Sequence, residues 1–140
     1  MTAFENILLL IDCSPADQEV IKVIKKMMYE SHSKLTLVHV IHSHTLDQQR
    51  DLREKATACL EGYKKEFIDS GITNTEILFL SGEPEAQLIK EINEGSYDLV
   101  AMGTHGHKGF KDLLYGSVST SLKHHVETPL LLVKGNLQAE

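Results

Sequence analysis

The fold class is decided by one stretch, Ile7-Leu-Leu-Leu-Ile11-Asp12-Cys-Ser-Pro15. Five consecutive apolar residues predict a strand that is covered on both faces, as strands in parallel sheets are. Ser14 and Pro15 then predict the start of a helix, because serine is a favoured cap and proline fits the first turn. A buried strand that leads directly into a helix is typical of an α/β protein.

The same alternation continues along the chain, with amphipathic stretches between the apolar runs. Four more strands are predicted, at Leu35–Ile41, Ile77–Leu80, Leu99–Met102 and Leu130–Val133. Helices are predicted over the stripe from Leu52 to Phe67, from Gly82-Glu-Pro84 to Gly95, and from Ser117 to His125. The pattern predicts a three-layer α/β sandwich with a five-stranded, doubly wound parallel sheet, in which ligands bind at the carboxyl ends of the strands.

Composition restricts the class of partner. The 140 residues fit a single domain, 1–140, and 20 acidic against 14 basic residues give a net charge of −6. This balance argues against nucleic acid and against an anionic membrane, since phosphate polymers bind clustered Lys and Arg. No apolar run approaches a membrane span, and the first residues lack the basic start of a signal peptide. We therefore expect a cytoplasmic protein in which the two cysteines, Cys13 and Cys59, are reduced thiols.

A glycine-rich loop follows the fourth predicted strand. It begins Gly103-Thr-His-Gly106-His107 and ends Gly116-Ser117-Val118. Because glycine lets backbone amides approach a phosphate, and a helix N-terminus adds partial positive charge, the loop predicts a phosphate site. On composition alone, a solvated surface loop explains it equally well. The spacing is neither that of a P-loop nor that of a Gly-x-Gly-x-x-Gly turn.

Taken together, these residues resemble the ATP-binding type of the universal stress protein family, and the resemblance covers essentially the whole chain. It is carried by Gly103-x2-Gly106-x9-Gly116-Ser117, Asp12, Val40, Gly82-x-Pro84 and Thr128-Pro129-Leu-Leu-Leu-Val133. It implies a strand order of 3-2-1-4-5, a bound adenine nucleotide and a dimer. It does not by itself imply an enzyme.

The resemblance also implies a role for each matching residue. Asp12 would lie against the adenosine, and the backbone of Val40 would hydrogen-bond the adenine edge. Met102 and Gly103 would line the ribose. The phosphates would be bound by backbone amides and a hydroxyl, from Gly106, Gly116, Ser117 and Val118. His107 stands where relatives often carry arginine, so a titrating imidazole would meet part of the phosphate charge.

The first turn departs from the family pattern. Many relatives have Asp-Gly-Ser there, whereas this chain has Cys13 in place of the glycine. A side chain at this point would narrow the pocket, so the resemblance implies ATP, with or without Mg²⁺, and leaves AMP or a cyclic nucleotide open as alternatives.

Three functions fit these observations. The protein is a nucleotide-dependent sensor or regulator in the stress response, a slow ATP hydrolase with His105 or His107 as base, or a structural dimer with an empty pocket. Efficient hydrolysis is not expected, because only Asp112 offers an acidic partner in the loop. A purely structural dimer does not need the glycine pattern. We therefore expect a binding protein with no catalytic residues.

Histidines and the last strand raise two further points. His39, His42 and His44 lie close together in sequence, but no acidic or cysteine partner completes a set at ligand spacing, so no metal site is expected.

The implied strand order puts Pro129–Val133 at an edge of the sheet. An apolar edge exposes unpaired amides and carbonyls, so we expect a homodimer paired along this strand.

Overall fold

The computed structural model describes residues 4–104 and 114–134, and within them the side chains of all but 114–117. Strands and helices alternate along these residues. They are β1 (Asn6–Leu10), α1 (Asp17–Met27), β2 (Lys34–Ile41), α2 (Leu46–Asp69), β3 (Thr75–Ser81), α3 (Pro84–Glu94), β4 (Leu99–Thr104), α4 (Leu114–His125) and β5 (Leu130–Lys134).

The strands form one parallel sheet in the order β3-β2-β1-β4-β5. Leu10, the last residue of β1, pairs with Val38 of β2 on one side and with Met102 of β4 on the other. The strand order therefore reverses at β1, with β2 and β3 added in one direction and β4 and β5 in the other. This confirms the predicted doubly wound sheet and its order, and it places the switch point between β1 and β4.

Two apolar clusters cover the two faces of the sheet. Ile7 and Leu9 of β1 pack in the cluster that includes the buried residues of α1 and α2. Leu8 and Leu10, which point the other way, pack in the cluster that includes those of α3 and α4. The three layers predicted from the sequence are confirmed, because each face of the sheet is covered by two helices.

The predicted start of α1 is wrong by two residues. The helix begins at Asp17, its N-cap is Ala16, and no side chain caps it. Ser14 instead belongs to the turn before the helix, where its Oγ accepts the Ala16 N–H at 3.3 Å and its carbonyl accepts the Asp17 N–H at 3.1 Å. Ser14 and Pro15 thus form the turn that leads into the helix.

The other three helices occur where they were predicted, but two of them begin earlier in the sequence. α2 begins at Leu46, six residues before the apolar stripe starts at Leu52. The Thr45 side chain caps it by accepting the Gln48 N–H at 3.0 Å. As predicted, α3 begins at Pro84 and is ended by Gly95, the C-cap that follows its last residue, Glu94. α4 covers Leu114–His125, so the helix begins three residues before Ser117, where it was predicted to start. In the described parts of the chain, we find no helix with the length and apolar character to cross a membrane.

The two cysteines are joined, so the expectation of two reduced thiols is wrong. Cys13 follows β1 and Cys59 lies in α2, and they form a disulfide with Cα atoms 6.3 Å apart. The physical reason is the packing of α2 on the same face of the sheet as α1. Its partly buried positions, including Cys59, contact the same apolar cluster as α1, and this brings α2 beside the loop after β1.

Gly103 of β4 makes a close approach to the residue before α1. A Cβ built on Gly103 would lie 2.8 Å from the backbone carbonyl oxygen of Ala16, a distance that real Cβ contacts do not adopt. Glycine is required here because its neighbour is backbone, which cannot rotate away as a side chain can.

Gly103→Ala should therefore lower the free energy of unfolding by about 1–3 kcal/mol, the usual cost of forcing extra volume into a packed site. Gly62 of α2 is the matched control, since a Cβ there meets nothing within 4 Å. Gly62→Ala should stabilise the protein by about 0.5–1 kcal/mol through helix propensity. Urea unfolding with the disulfide intact measures both, and a Gly103→Ala variant as stable as the wild type contradicts the close approach.

Candidate functional site

The carboxyl ends of three strands meet at the switch point of the sheet. The ladder between β1 and β2 ends at the Leu10–Val38 pair, followed by a hydrogen bond from the Ile11 N–H to the Val38 carbonyl at 2.9 Å. Val40 lies two residues beyond that pair and remains paired with Leu80 of β3. Because parallel strands end at the same edge, the residues that follow β1, end β2 and end β4 surround one crevice.

Asp12 lies at the base of the loop that follows β1 and is half-buried. Its Oδ1 accepts the Ser14 N–H at 2.9 Å, which closes a tight turn over Cys13. Its own N–H donates to Oδ1 of Asp17 at 3.3 Å. Both hydrogen bonds fix the position of Asp12 at the edge of the crevice, where the sequence predicted a ligand contact.

The other predicted contact residues with described side chains are buried. Val40 is 8% exposed, Met102 is fully buried, and Gly103 is buried against the backbone of Ala16. The Val118 side chain is fully buried in the cluster beneath α4. The structure therefore brings Asp12, Val40, Met102 and Gly103 to one end of the sheet.

The predicted phosphate-binding residues divide into two groups. Gly106 and His107 lie outside the described residues, as do His105 and Asp112. Gly116 and Ser117 belong to α4, the helix that follows β4 along the described chain, and Val118 comes next in it. Their proposed contacts with phosphate stay predictions.

The structure adds a buried carboxyl group that the sequence analysis did not single out. Asp17 is 2% exposed, and its Oδ2 accepts a hydrogen bond from the Tyr63 hydroxyl of α2 at 3.2 Å. Burial first, and the nearby Asp12 second, raise the pKa of Asp17 to about 8. Burial, followed by the charge of Asp17, also raises the pKa of Tyr63. Asp17 is therefore protonated at neutral pH and adds no negative charge to the crevice.

Cys13 has a backbone conformation that suits glycine. Its φ is 63°, in the left-handed region that L-residues other than Asn and Asp rarely adopt. The cysteine thus adopts a conformation that glycine adopts easily. Its side chain is exposed at the crevice end of the fold and is directed to Cys59 rather than free.

Three potential metal ligands lie close together near the loop after β1. Within residues 4–104 and 118–134, potential ligand atoms cluster at Cys13, Asp17 and Cys59, where they lie within 4.8 Å of one another. Both sulfur atoms are joined to each other in the disulfide. His39 and His42 make hydrogen bonds to backbone, through Nδ1–H to the Ile11 carbonyl at 2.7 Å and to the Gly82 carbonyl at 2.9 Å.

The sequence matches the universal stress protein family over residues 3–134. The chain belongs to this family. A putative universal stress protein of Staphylococcus haemolyticus is 27% identical over 143 residues, which cover 96% of this chain and 87% of the relative.

Solved structures share the fold. A universal stress protein in complex with cAMP is 20% identical, with a TM-score of 0.71, and the match covers 94% of this chain and 98% of that one. A family member from Arabidopsis thaliana with AMP bound is also 20% identical, with a TM-score of 0.69 and coverage of 94% and 92%. At this level of identity the likeness establishes the fold.

The buried Asp17 predicts how stability changes with pH. Its ordinary pKa is 3.8 and its pKa in the folded protein is about 8. Between these values the unfolded chain loses the proton and the folded chain keeps it. The free energy of unfolding therefore falls as pH rises, by up to about 1.4 kcal/mol per pH unit.

Asp17→Asn should remove this decline, so that the variant gains stability over the wild type between pH 5 and pH 8, as measured by urea unfolding. Asp51→Asn is the control, because Asp51 is an exposed acid of α2. It should leave the wild-type slope unchanged. Parallel wild-type and Asp17→Asn curves across this range would show that Asp17 is not buried as an acid.

Proposed function

We propose that the chain binds an adenine nucleotide, ATP above all, in the crevice at the carboxyl ends of β1, β2 and β4, and acts as a nucleotide-dependent sensor or regulator. The observation that carries this proposal is the convergence of Asp12, Val40 and Gly103 at the switch point of the sheet. Open α/β sheets bind ligands at this place. Two proteins of the same fold, bound to cAMP and to AMP, support the choice of an adenine nucleotide.

The crevice has the chemistry that a nucleoside needs. Val40, which is 8% exposed, and the backbone of Gly103 lie at this edge of the sheet, where a nucleoside would pack. The Asp12 carboxylate is an acceptor for ribose hydroxyls or for the amino group of adenine. Since Asp17 keeps its proton, it does not add its negative charge to that of Asp12, which reduces repulsion of an anionic ligand.

The phosphates are assigned to the start of α4 and the preceding glycine loop. Gly116 lies in the first turn of α4, at the N-terminal end of the helix, and Ser117 and Val118 follow it. Backbone N–H groups at such an end point along the axis and carry partial positive charge, so they stabilise a phosphate without a basic side chain. This assignment agrees with the net charge of −6, which makes local phosphate binding more plausible than a basic surface.

Gly116→Val should weaken ATP binding by about tenfold or more, because a branched side chain keeps the phosphate away from the amides and costs charge-assisted hydrogen bonds. Titration calorimetry with ATP, AMP and cAMP, with and without Mg²⁺, measures the effect and ranks the nucleotides. Gly62→Ala is the control and should bind as the wild type does. An unchanged ATP affinity in Gly116→Val would refute the phosphate assignment.

We further propose that the protein does not turn ATP over efficiently. Hydrolysis needs a base held by an orienting group close to the attacking water, and the sequence offers no complete pair. Multiple-turnover hydrolysis should lie far below the ~1 per second at the low end of ordinary enzymes. Phosphate release measured on purified protein checks this, and faster turnover that is lost in His105→Ala would make the protein an ATPase.

A homodimer paired along β5 completes the proposal. β5 is the edge strand next to β4, and Leu132 in it is 38% exposed, whereas Leu130 and Leu131 are partly buried against the two apolar clusters. An antiparallel pairing of two β5 strands about a two-fold axis would satisfy the edge and bury both copies of Leu132.

Leu132→Lys should shift the protein from dimer to monomer without unfolding it, because the side chain belongs to the exposed edge and two ammonium groups would face each other. Leu46→Lys, at a leucine that is 81% exposed on α2, is the matched control and should stay dimeric. Light scattering at micromolar concentration measures the mass. A monomeric wild type would contradict the dimer.

A further inference from the structure

The disulfide between Cys13 and Cys59 joins the loop of the crevice to a helix that is distant in sequence. The two residues are 46 positions apart, and Cys59 lies on α2. Tyr63, one helical turn after Cys59, donates a hydrogen bond to Asp17, the first residue of α1. The helix α2 is therefore joined covalently to the loop and by a hydrogen bond to the start of the helix that follows it.

From this placement, we infer that the Cys13–Cys59 pair is a reversible thiol–disulfide modification site that sets the affinity of the crevice for its nucleotide, with the disulfide form binding more tightly. The inference rests on the proposed nucleotide site. The chemical partner is a reducing thiol, either a small molecule or a protein dithiol.

The position of the two sulfur atoms allows the exchange. Cys13 is exposed and Cys59 is half-buried, so an incoming thiolate reaches the sulfur of Cys13. It forms a mixed disulfide with Cys13, and the bond to Cys59 breaks. Cys59 leaves as a thiolate and takes up a proton. A second thiol then attacks the reductant's sulfur in the mixed disulfide and releases Cys13, which is also protonated. Overall, two thiols are oxidised to a disulfide and the protein gains two electrons and two protons.

The backbone at Cys13 connects this chemistry to the crevice. With a φ of 63°, Cys13 occupies a conformation that an L-residue leaves when nothing holds it there. The hydrogen bond from the Ser14 N–H to Oδ1 of Asp12 spans Cys13, so it depends on that conformation. The disulfide holds Cys13 in place. Reduction releases it, and Asp12 is then in its binding position for only part of the time.

A fractionally populated binding conformation weakens the apparent affinity by the same fraction. From the usual preference of L-residues against the left-handed region, we expect reduced wild-type protein to bind ATP about fivefold or more weakly than oxidised protein. Glycine adopts this conformation freely. A glycine at this position would therefore need no tether, whereas the cysteine is held in this conformation by the disulfide.

The experiment compares wild-type protein with two variants by titration calorimetry with ATP, each after oxidation and after reduction. Wild-type protein is measured after oxidation with oxidised glutathione and after reduction with a phosphine, and alkylation followed by mass spectrometry counts the free thiols. Cys59→Ala, which cannot form the disulfide and keeps the cysteine backbone, should match reduced wild type under both conditions. Cys13→Gly should bind with one affinity under both conditions, tighter than that of reduced wild type. Circular dichroism verifies that both variants are folded.

Each outcome bears on the inference. ATP affinities of oxidised and reduced wild type within twofold of each other, or tighter binding by the reduced form, would overturn it, and this comparison uses no variant. Equal ATP affinities in all three proteins under both conditions would overturn the redox inference and leave the proposed nucleotide site standing. An absence of ATP binding in every sample would overturn both. Free thiols that persist after oxidation would show that the pair is not a disulfide site.

Discussion

Burial of β1 on both of its faces is the constraint on which the rest of the fold depends. Leu8, Leu9, Leu10 and Ile11 are fully buried, so helices must cover the strand from both sides. The chain meets this requirement by adding β2 and β3 on one side of β1 and β4 and β5 on the other, with α1 and α2 on one face and α3 and α4 on the other. The reversal of direction separates the loops after β1 and β4, and the crevice lies where they separate.

The crevice is shaped from the face that α1 and α2 cover. Gly103 passes close to the carbonyl of Ala16, and Asp12 is fixed by Ser14 and Asp17. The helix α2 reaches the loop through Cys59 and the start of α1 through Tyr63. The loop after β1 is thus held by several weak contacts and one covalent bond. This arrangement gives a short segment a defined shape without a regular secondary structure. It also makes the shape responsive to whatever changes those contacts, including protons and thiols.

The sheet was predictable from the sequence because its signals are local. Each strand is a short apolar run, Gly71 and Gly95 lie at helix ends, and Pro84 opens α3 as proline in a first turn does. The strand order came from the resemblance to a known family, and it is confirmed. For the site, the resemblance implied ligand contacts at Asp12, Val40, Met102 and Gly103, and the structure has these residues at the carboxyl end of the sheet. Their contacts with a ligand stay predictions.

The features that were missed depend on packing between distant segments. Two cysteines in an acidic chain of this size are ordinarily free thiols, and no spacing rule tells that Cys59 faces the loop of Cys13. Asp17 has the sequence appearance of an acid in the first turn of a helix, where it complements the helix dipole. Only the packing of Tyr63 against it shows that the carboxyl group is buried. Cys59 and Tyr63, which make these two contacts, both lie on the apolar stripe of α2.

Binding of an adenine nucleotide at the carboxyl end of the sheet can be tested by following the amide chemical shifts in NMR spectra during a titration with ATP. A second cleft lies at the opposite end, lined by Glu30, Ser31, His32 and Asn74 among others, and serves as an internal comparison. The account predicts that the largest shift changes occur at Asp12, Cys13, Val40, Gly103 and Val118, while the residues of the opposite cleft stay unchanged. Shift changes centred on that cleft, or none at all at saturating ATP, would contradict it.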